Sequence, residues 1–192
     1  MIRLAIVGDI GSGKSYIAKQ FGYPAFNADA EVAKLYRKSR KCHSKLKKTL
    51  PNYITSFPVK KSELFEAITK NEYNLKKIVR IIHPEVQSEM NNFIKKNKNK
   101  KIIVLDIPLL MENKINKKDD ILIFIDAKKK EIDKRLKKKP NFNLKIIKKF
   151  KELQLPIEFK KRQSNFVIKN NFRNNSVKKN VKQVLEKILQ NA

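Results

Sequence analysis

The chain has 192 residues, 41% of them hydrophobic, which suits one domain with a buried core. Lysine and arginine number 46 against 18 aspartates and glutamates, a formal charge of +28 that draws the chain to anions such as nucleotides, nucleic acid or acidic membrane. The single cysteine, Cys42, excludes an internal disulfide or a cysteine zinc site, and no apolar run approaches the roughly 20 residues of a membrane span. Lysine is spread over the whole chain beside abundant asparagine and isoleucine, so the charge reads first as solvated faces rather than a dedicated nucleic-acid surface. No signal peptide is visible before "RLAIVG". The expectation is a cytoplasmic protein.

Taken in chain order, residues 2–7 are a continuous apolar run and read as a buried strand. "VGDIGSGKSY" follows, and Gly8 through Ser15 fit G-x-x-x-x-G-K-[ST] at every fixed position. Residues 12–21 have helical character, which completes the strand–loop–helix context that a phosphate loop requires. Gly8, Gly11 and Gly13 permit tight turns, Lys14 is expected to reach the β- and γ-phosphates, and the Ser15 hydroxyl to coordinate Mg²⁺. Asp9 is the anomaly, an anion in a loop built for anions.

A second strand is expected at residues 24–27, with Asp29 just beyond it. Residues 37–76 are lysine-rich, carry two prolines and show no strong strand, so they read as a helical insertion. Residues 77–95 repeat apolar side chains at three or four residues, with Pro84 expected to begin a new helix. "KKNKNKK" is a charged turn. The third strand, residues 101–106, ends on Asp106 in "IIVLDIPLLMEN". A carboxylate at such a strand end can hold a metal or accept a proton from an attacking hydroxyl, and Asp29 and Asp106 are both candidates.

The fourth strand covers residues 121–126 and a helix residues 128–138. Arg135, Lys137, Lys138 and Lys139 then form a cationic cluster where small-molecule kinases place a lid, suited to stabilising a transferring phosphoryl group. Residues 143–153 are a further helix and 166–169 the fifth strand. The last helix carries the stripe Val177, Val181, Val184, Leu185 and Ile188, with Ser176 placed to cap it. Alternating strands and helices give an α/β class of P-loop NTPase type: a three-layer α/β/α arrangement on a five-stranded parallel sheet, with a helical insertion and a lid.

These motifs, in this order, resemble the dephospho-coenzyme A kinases, a family of P-loop kinases. The matching segments are "GDIGSGKS", "FNADAEVAK", "SELFEAI", "IIHPEV", "DIPLLMEN", Gln154 and "SNFVIKNN". The resemblance implies transfer of the ATP γ-phosphate to the ribose 3′-hydroxyl of dephospho-coenzyme A. It implies a nucleotide-binding core over 1–36 and 98–192, with a lid near 128–160, and a substrate-binding insertion over 37–97. It makes Asp29 the catalytic base, with Lys14 and Arg135 as the other catalytic groups. Gly11, Ser12, Gly13, Lys14, Ser15, Tyr16, Lys139 and Asn170 are then expected at ATP, Ser15 and Asp106 at Mg²⁺, and Asp9, His83, Pro108 and Leu109 at the acceptor. The expected partners are ATP and dephospho-coenzyme A, with no membrane, no specific nucleic acid, and a monomeric state.

The chain departs from the family pattern at Val7, where Thr is usual, at Asp9 for Gly, at Asn27 for Asp, and at Lys61 and Lys139 for Arg. Two other readings compete. Deoxynucleoside kinases share a similar loop, but place Glu-Arg-Ser where this chain has "LDIPLLMEN". A basic nucleic-acid-binding protein on a degenerate kinase fold would use the charge instead.

Overall fold

The computed structural model describes residues 1–138 and 143–190. Five strands form one all-parallel sheet: β1 (Ile2–Gly8), β2 (Ala25–Asn27), β3 (Ile102–Asp106), β4 (Ile121–Ala127) and β5 (Phe166–Asn170), in the order β2-β3-β1-β4-β5. Every residue of β3 is buried, as are six of the seven in β1. Such strands are mostly apolar because helices cover both faces. The order places β1 centrally, so its C-terminal end at Gly8 is flanked by those of β3 and β4. This is the edge of an open α/β sheet where ligands bind.

The helices among the described residues are α1 (Lys14–Gln20), α2 (Ala28–Lys38), α3 (Arg40–Thr49), α4 (Lys61–Lys70), α5 (Tyr73–Lys96), α6 (Lys129–Lys137), α7 (Leu144–Glu152), α8 (Ile157–Arg162) and α9 (Asn174–Gln190). The expected strands and main helices are present, with three differences. α5 runs through Pro84 instead of restarting there. The proline forfeits one helical hydrogen bond, but Leu75, Ile78 and Ile82 before it and Met90 after it are all buried on one stripe, and that packing carries the helix across. Ser176 does not cap the last helix, because α9 starts two residues earlier at Asn174 and takes Ser176 into its first turn. The short helix α8 gave no readable period, being only six residues long.

The chain divides into two compact units, Met1–Asn27 with the chain from Asn97 onward, and Ala28–Lys96. The second unit takes in α2. In the first unit the core is built from Leu4, Ile6, Val104, Ile123 and Ile125 of the sheet against Ile17 and Phe21 of α1 and Val177, Val181 and Ile188 of α9. Arg3 of β1 makes a buried bidentate pair with Asp120, at 2.8 and 3.0 Å, tying the start of β1 to the turn before β4.

The second unit is helical. α2, α3 and α4 all pack on α5, and Ser39 caps α3 by accepting from the Cys42 N–H at 3.1 Å. Glu63 organises the entry to α4. Its Oε1 accepts from the Thr55 N–H (3.1 Å), the Thr55 hydroxyl (2.8 Å) and the Ser56 N–H (2.9 Å), and its Oε2 from the Lys60 N–H (3.2 Å). Partial burial pushes the carboxyl pKa up, but the four donors together outweigh it and hold the pKa at about 2 against an ordinary 4.5. A carboxyl depressed in the folded state contributes stability above its unfolded pKa and loses it as pH falls. Glu63→Ala is therefore expected to cost about 1–3 kcal/mol at neutral pH. In thermal melts across pH, the gap between variant and parent should close as pH drops from 4.5 towards 2. A gap that does not vary with pH would show that the carboxylate is not the source.

Candidate active site

The loop after β1 is shaped by its glycines. Gly11 and Gly13 have φ of 83° and 94°, in the left-handed region that side chains avoid. At Gly13 a Cβ would run into the Asn170 amide nitrogen, and at Gly11 it would lie 3.0 Å from the Leu136 side chain. The loop thus needs these glycines both for its path and for the closeness of β5 and α6 behind it. Gly13 is also the residue from which α1 begins, so the helix N-terminus opens directly onto the loop.

The loop is fastened from several sides. The Asn170 amide donates to the Ser12 carbonyl at 2.7 Å, while its oxygen accepts from the Phe172 N–H at 2.8 Å. The Ser12 hydroxyl is fully buried and finds no hydrogen-bond partner among the described residues. Lys14 donates from Nζ to the Gly8 carbonyl at 3.2 Å and the Asp9 carbonyl at 2.8 Å, so its ammonium is folded over the loop. The Tyr16 hydroxyl donates to Asn174 Oδ1 at 2.8 Å, joining α1 to the start of α9.

A second group gathers at the ends of β2 and β3. Asn27, the last residue of β2, donates from its amide to the Ser15 hydroxyl at 3.2 Å and to the carboxylate of Asp106 at the end of β3. Asp106 is 2% exposed. Residues from β2, β3 and α1 thereby converge, with Asn27 as the link. Sequence reasoning had Ser15 and Asp106 but treated Asn27 only as a departure from the family pattern.

Asp9 is engaged through both carboxylate oxygens. Oδ1 accepts from the Ile10 N–H at 2.6 Å and Oδ2 pairs with Lys151 of α7 at 3.3 Å. Arg135 lies in the last turn of α6 with its guanidinium 4.5 Å from the centroid of the Phe172 ring, an attractive stacking of cation on aromatic face. Pro108 and Leu109 open the turn after β3, where the Leu109 carbonyl accepts from the Asn113 N–H at 3.1 Å. Lys139 lies outside the described residues.

Asp29 and His83 belong to the second unit. Asp29 is in the first turn of α2, two residues along the chain from Asn27. His83 lies on α5, and its Nε2 is buried with no hydrogen-bond partner among the described residues.

A further cluster went unseen in the sequence. Lys160 of α8 is 1% exposed and donates to Glu112 Oε1 and Gln154 Oε1, both at 3.2 Å. Glu112 Oε1 also accepts from the Leu155 N–H at 3.0 Å. A buried ammonium is tolerable only with such partners. The cluster ties the segment after β3 to the segment joining α7 and α8. Gln154 and the "PLLMEN" glutamate were visible as parts of the resemblance, but Lys160 was one lysine among many.

A phosphate loop at the central strand of a parallel sheet, backed by a hydroxyl and a strand-end carboxylate, defines a P-loop nucleotide-binding protein. The comparisons narrow this. The family model for dephospho-CoA kinase (CoaE) matches residues 2–177. The dephospho-CoA kinase of Wolbachia sp. subsp. Brugia malayi is 32% identical over 190 residues, covering 96% of this chain and 97% of that protein. That of Bartonella quintana is 32% identical over 193 residues, covering 98% of each. The dephospho-CoA kinase structure from Campylobacter jejuni superposes with a TM-score of 0.65 at 21% identity, covering 97% of this chain and 96% of that one, and agrees in fold. The chain belongs to the dephospho-CoA kinase family. No helix among the described residues is long and apolar enough to cross a membrane.

Proposed function

We propose that the protein transfers the γ-phosphoryl group of ATP to the ribose 3′-hydroxyl of dephospho-coenzyme A, giving coenzyme A and ADP, as a cytoplasmic monomer. The observation that carries this is the complete phosphate loop joined through Asn27 to Ser15 and Asp106, in a chain that matches the family over nearly its whole length. In the reaction the acceptor oxygen bonds to the γ-phosphorus, the bond to the β–γ bridging oxygen breaks, and the acceptor proton passes to a base. Asp29 is that base by its match to the family segment.

The backbone N–H groups of residues 11–15 and the N-terminus of α1 hold the phosphates, and Lys14 neutralises charge on the β- and γ-groups. The donor set at Ser15 and Asp106 is all oxygen, as Mg²⁺ requires. Ser15 and Asp106 would hold Mg²⁺, which would offset charge on the phosphates. Asn27 keeps the Ser15 hydroxyl and the Asp106 carboxylate oriented. Arg135 contributes its charge to the transferring group from α6, with Phe172 supporting the guanidinium plane. His83, Pro108, Leu109 and the residues of the 37–97 region serve the acceptor.

The test is ADP release in a coupled assay with dephospho-coenzyme A as acceptor. Turnover with that acceptor supports the reading. Turnover with deoxynucleosides instead would replace it with the deoxynucleoside kinase reading, and steeply salt-dependent RNA binding without ATP turnover would favour the nucleic-acid one.

A further inference from the structure

A phosphate loop is arranged to attract anions, yet this one carries a carboxylate directly after its first glycine. Asp9 is no remote bystander, because its own carbonyl accepts the ammonium of Lys14, the group that serves the phosphates, at 2.8 Å. An uncompensated negative charge there would oppose a polyphosphate on the same loop. It is compensated: Lys151 Nζ stands 3.3 Å from Asp9 Oδ2, with the lysine side chain 36% and the aspartate 19% exposed.

Lys151 comes from α7, which has no buried residue of its own. Its ammonium pairs with Asp9 and offsets the charge there. We infer that Lys151 is a positioning residue for the nucleotide site: by neutralising Asp9 it lets a phosphate loop with an internal carboxylate bind ATP. It acts through Asp9 and touches no reacting atom. The inference rests on the reading of the loop as an ATP site.

The test is a double-mutant cycle in the full chain, reading the ATP dissociation constant by titration calorimetry at low ionic strength, with melting temperature alongside. Lys151→Met is expected to weaken ATP binding by on the order of tenfold, because Asp9 then keeps its charge without its cation on the loop that holds the phosphates. Asp9→Asn introduced into Lys151→Met should restore binding to near the parental value, and Lys151→Arg should retain it. Added salt should shrink the Lys151→Met defect. Unchanged ATP binding in Lys151→Met would overturn the inference. So would a double variant as weak as Lys151→Met, which would mean that the lysine serves ATP independently of Asp9. A parent chain that binds no ATP would instead defeat the reading of the loop itself, and the two failures are thereby separate.

Discussion

Lys14→Ala is expected to lower kcat for dephospho-coenzyme A by on the order of 10²–10³-fold or more, with the fold intact. The ammonium of Lys14 is held over the loop by two carbonyls, those of Gly8 and Asp9. A cation preset in this way need not reorganise as charge builds on the leaving phosphate, and that is what makes such a group effective. Alanine removes the charge without touching the glycines that shape the loop or the Asn170 bond that pins Ser12. Stability should therefore change little while turnover collapses. The coupled assay, run beside a thermal melt, checks both. A near-parental rate would show that phosphate charge is met elsewhere, and a matching loss of melting temperature would show that Lys14 acts as a clamp on the loop carbonyls.

Asp29→Asn is the second large effect, a fall in kcat of roughly 10²–10⁴-fold with little change in the KM for ATP. The substitution keeps size and polarity in the first turn of α2 but removes the proton acceptor. A rate close to the parent would remove Asp29 from the mechanism. Asp106 is the contrasting carboxylate. It is buried and already accepts from Asn27, an arrangement suited to holding a metal ligand in place rather than to receiving a proton from a mobile substrate.

What could be read in the sequence followed from how locally each feature is encoded. The phosphate loop is contiguous, so its glycines, Lys14 and Ser15 could be named from the chain alone. The strands were legible because a parallel sheet covered on both faces needs unbroken apolar runs, and 2–7 and 101–106 supply them. Asp106 was legible because it ends such a run. The links between distant residues were not. Nothing along the chain joins Asn27 to Ser15 and Asp106, or Asp9 to Lys151, since each depends on the strand order and on where α7 falls. Composition concealed others. In a chain this rich in lysine, the buried Lys160 reads like any solvated neighbour, and only its partners Glu112 and Gln154 distinguish it. Pro84 misled for another reason: a local helix breaker was outweighed by a buried stripe extending well to either side of it.

The sealing of Lys160 has a consequence for the chain's own chemistry. An amine must be deprotonated and reachable to be acylated. The lysines on the surface meet the second condition at all times, whereas Lys160, 1% exposed and bonded to Glu112 and Gln154, meets it only while α8 has lifted from its seat. Reagent dressing the outside of the protein thus leaves Lys160, the one buried lysine among the described residues, bare. The pace at which that amine is later labelled is a clock for local opening, and it ticks inside the same cluster that joins the turn after β3 to the segment following α7.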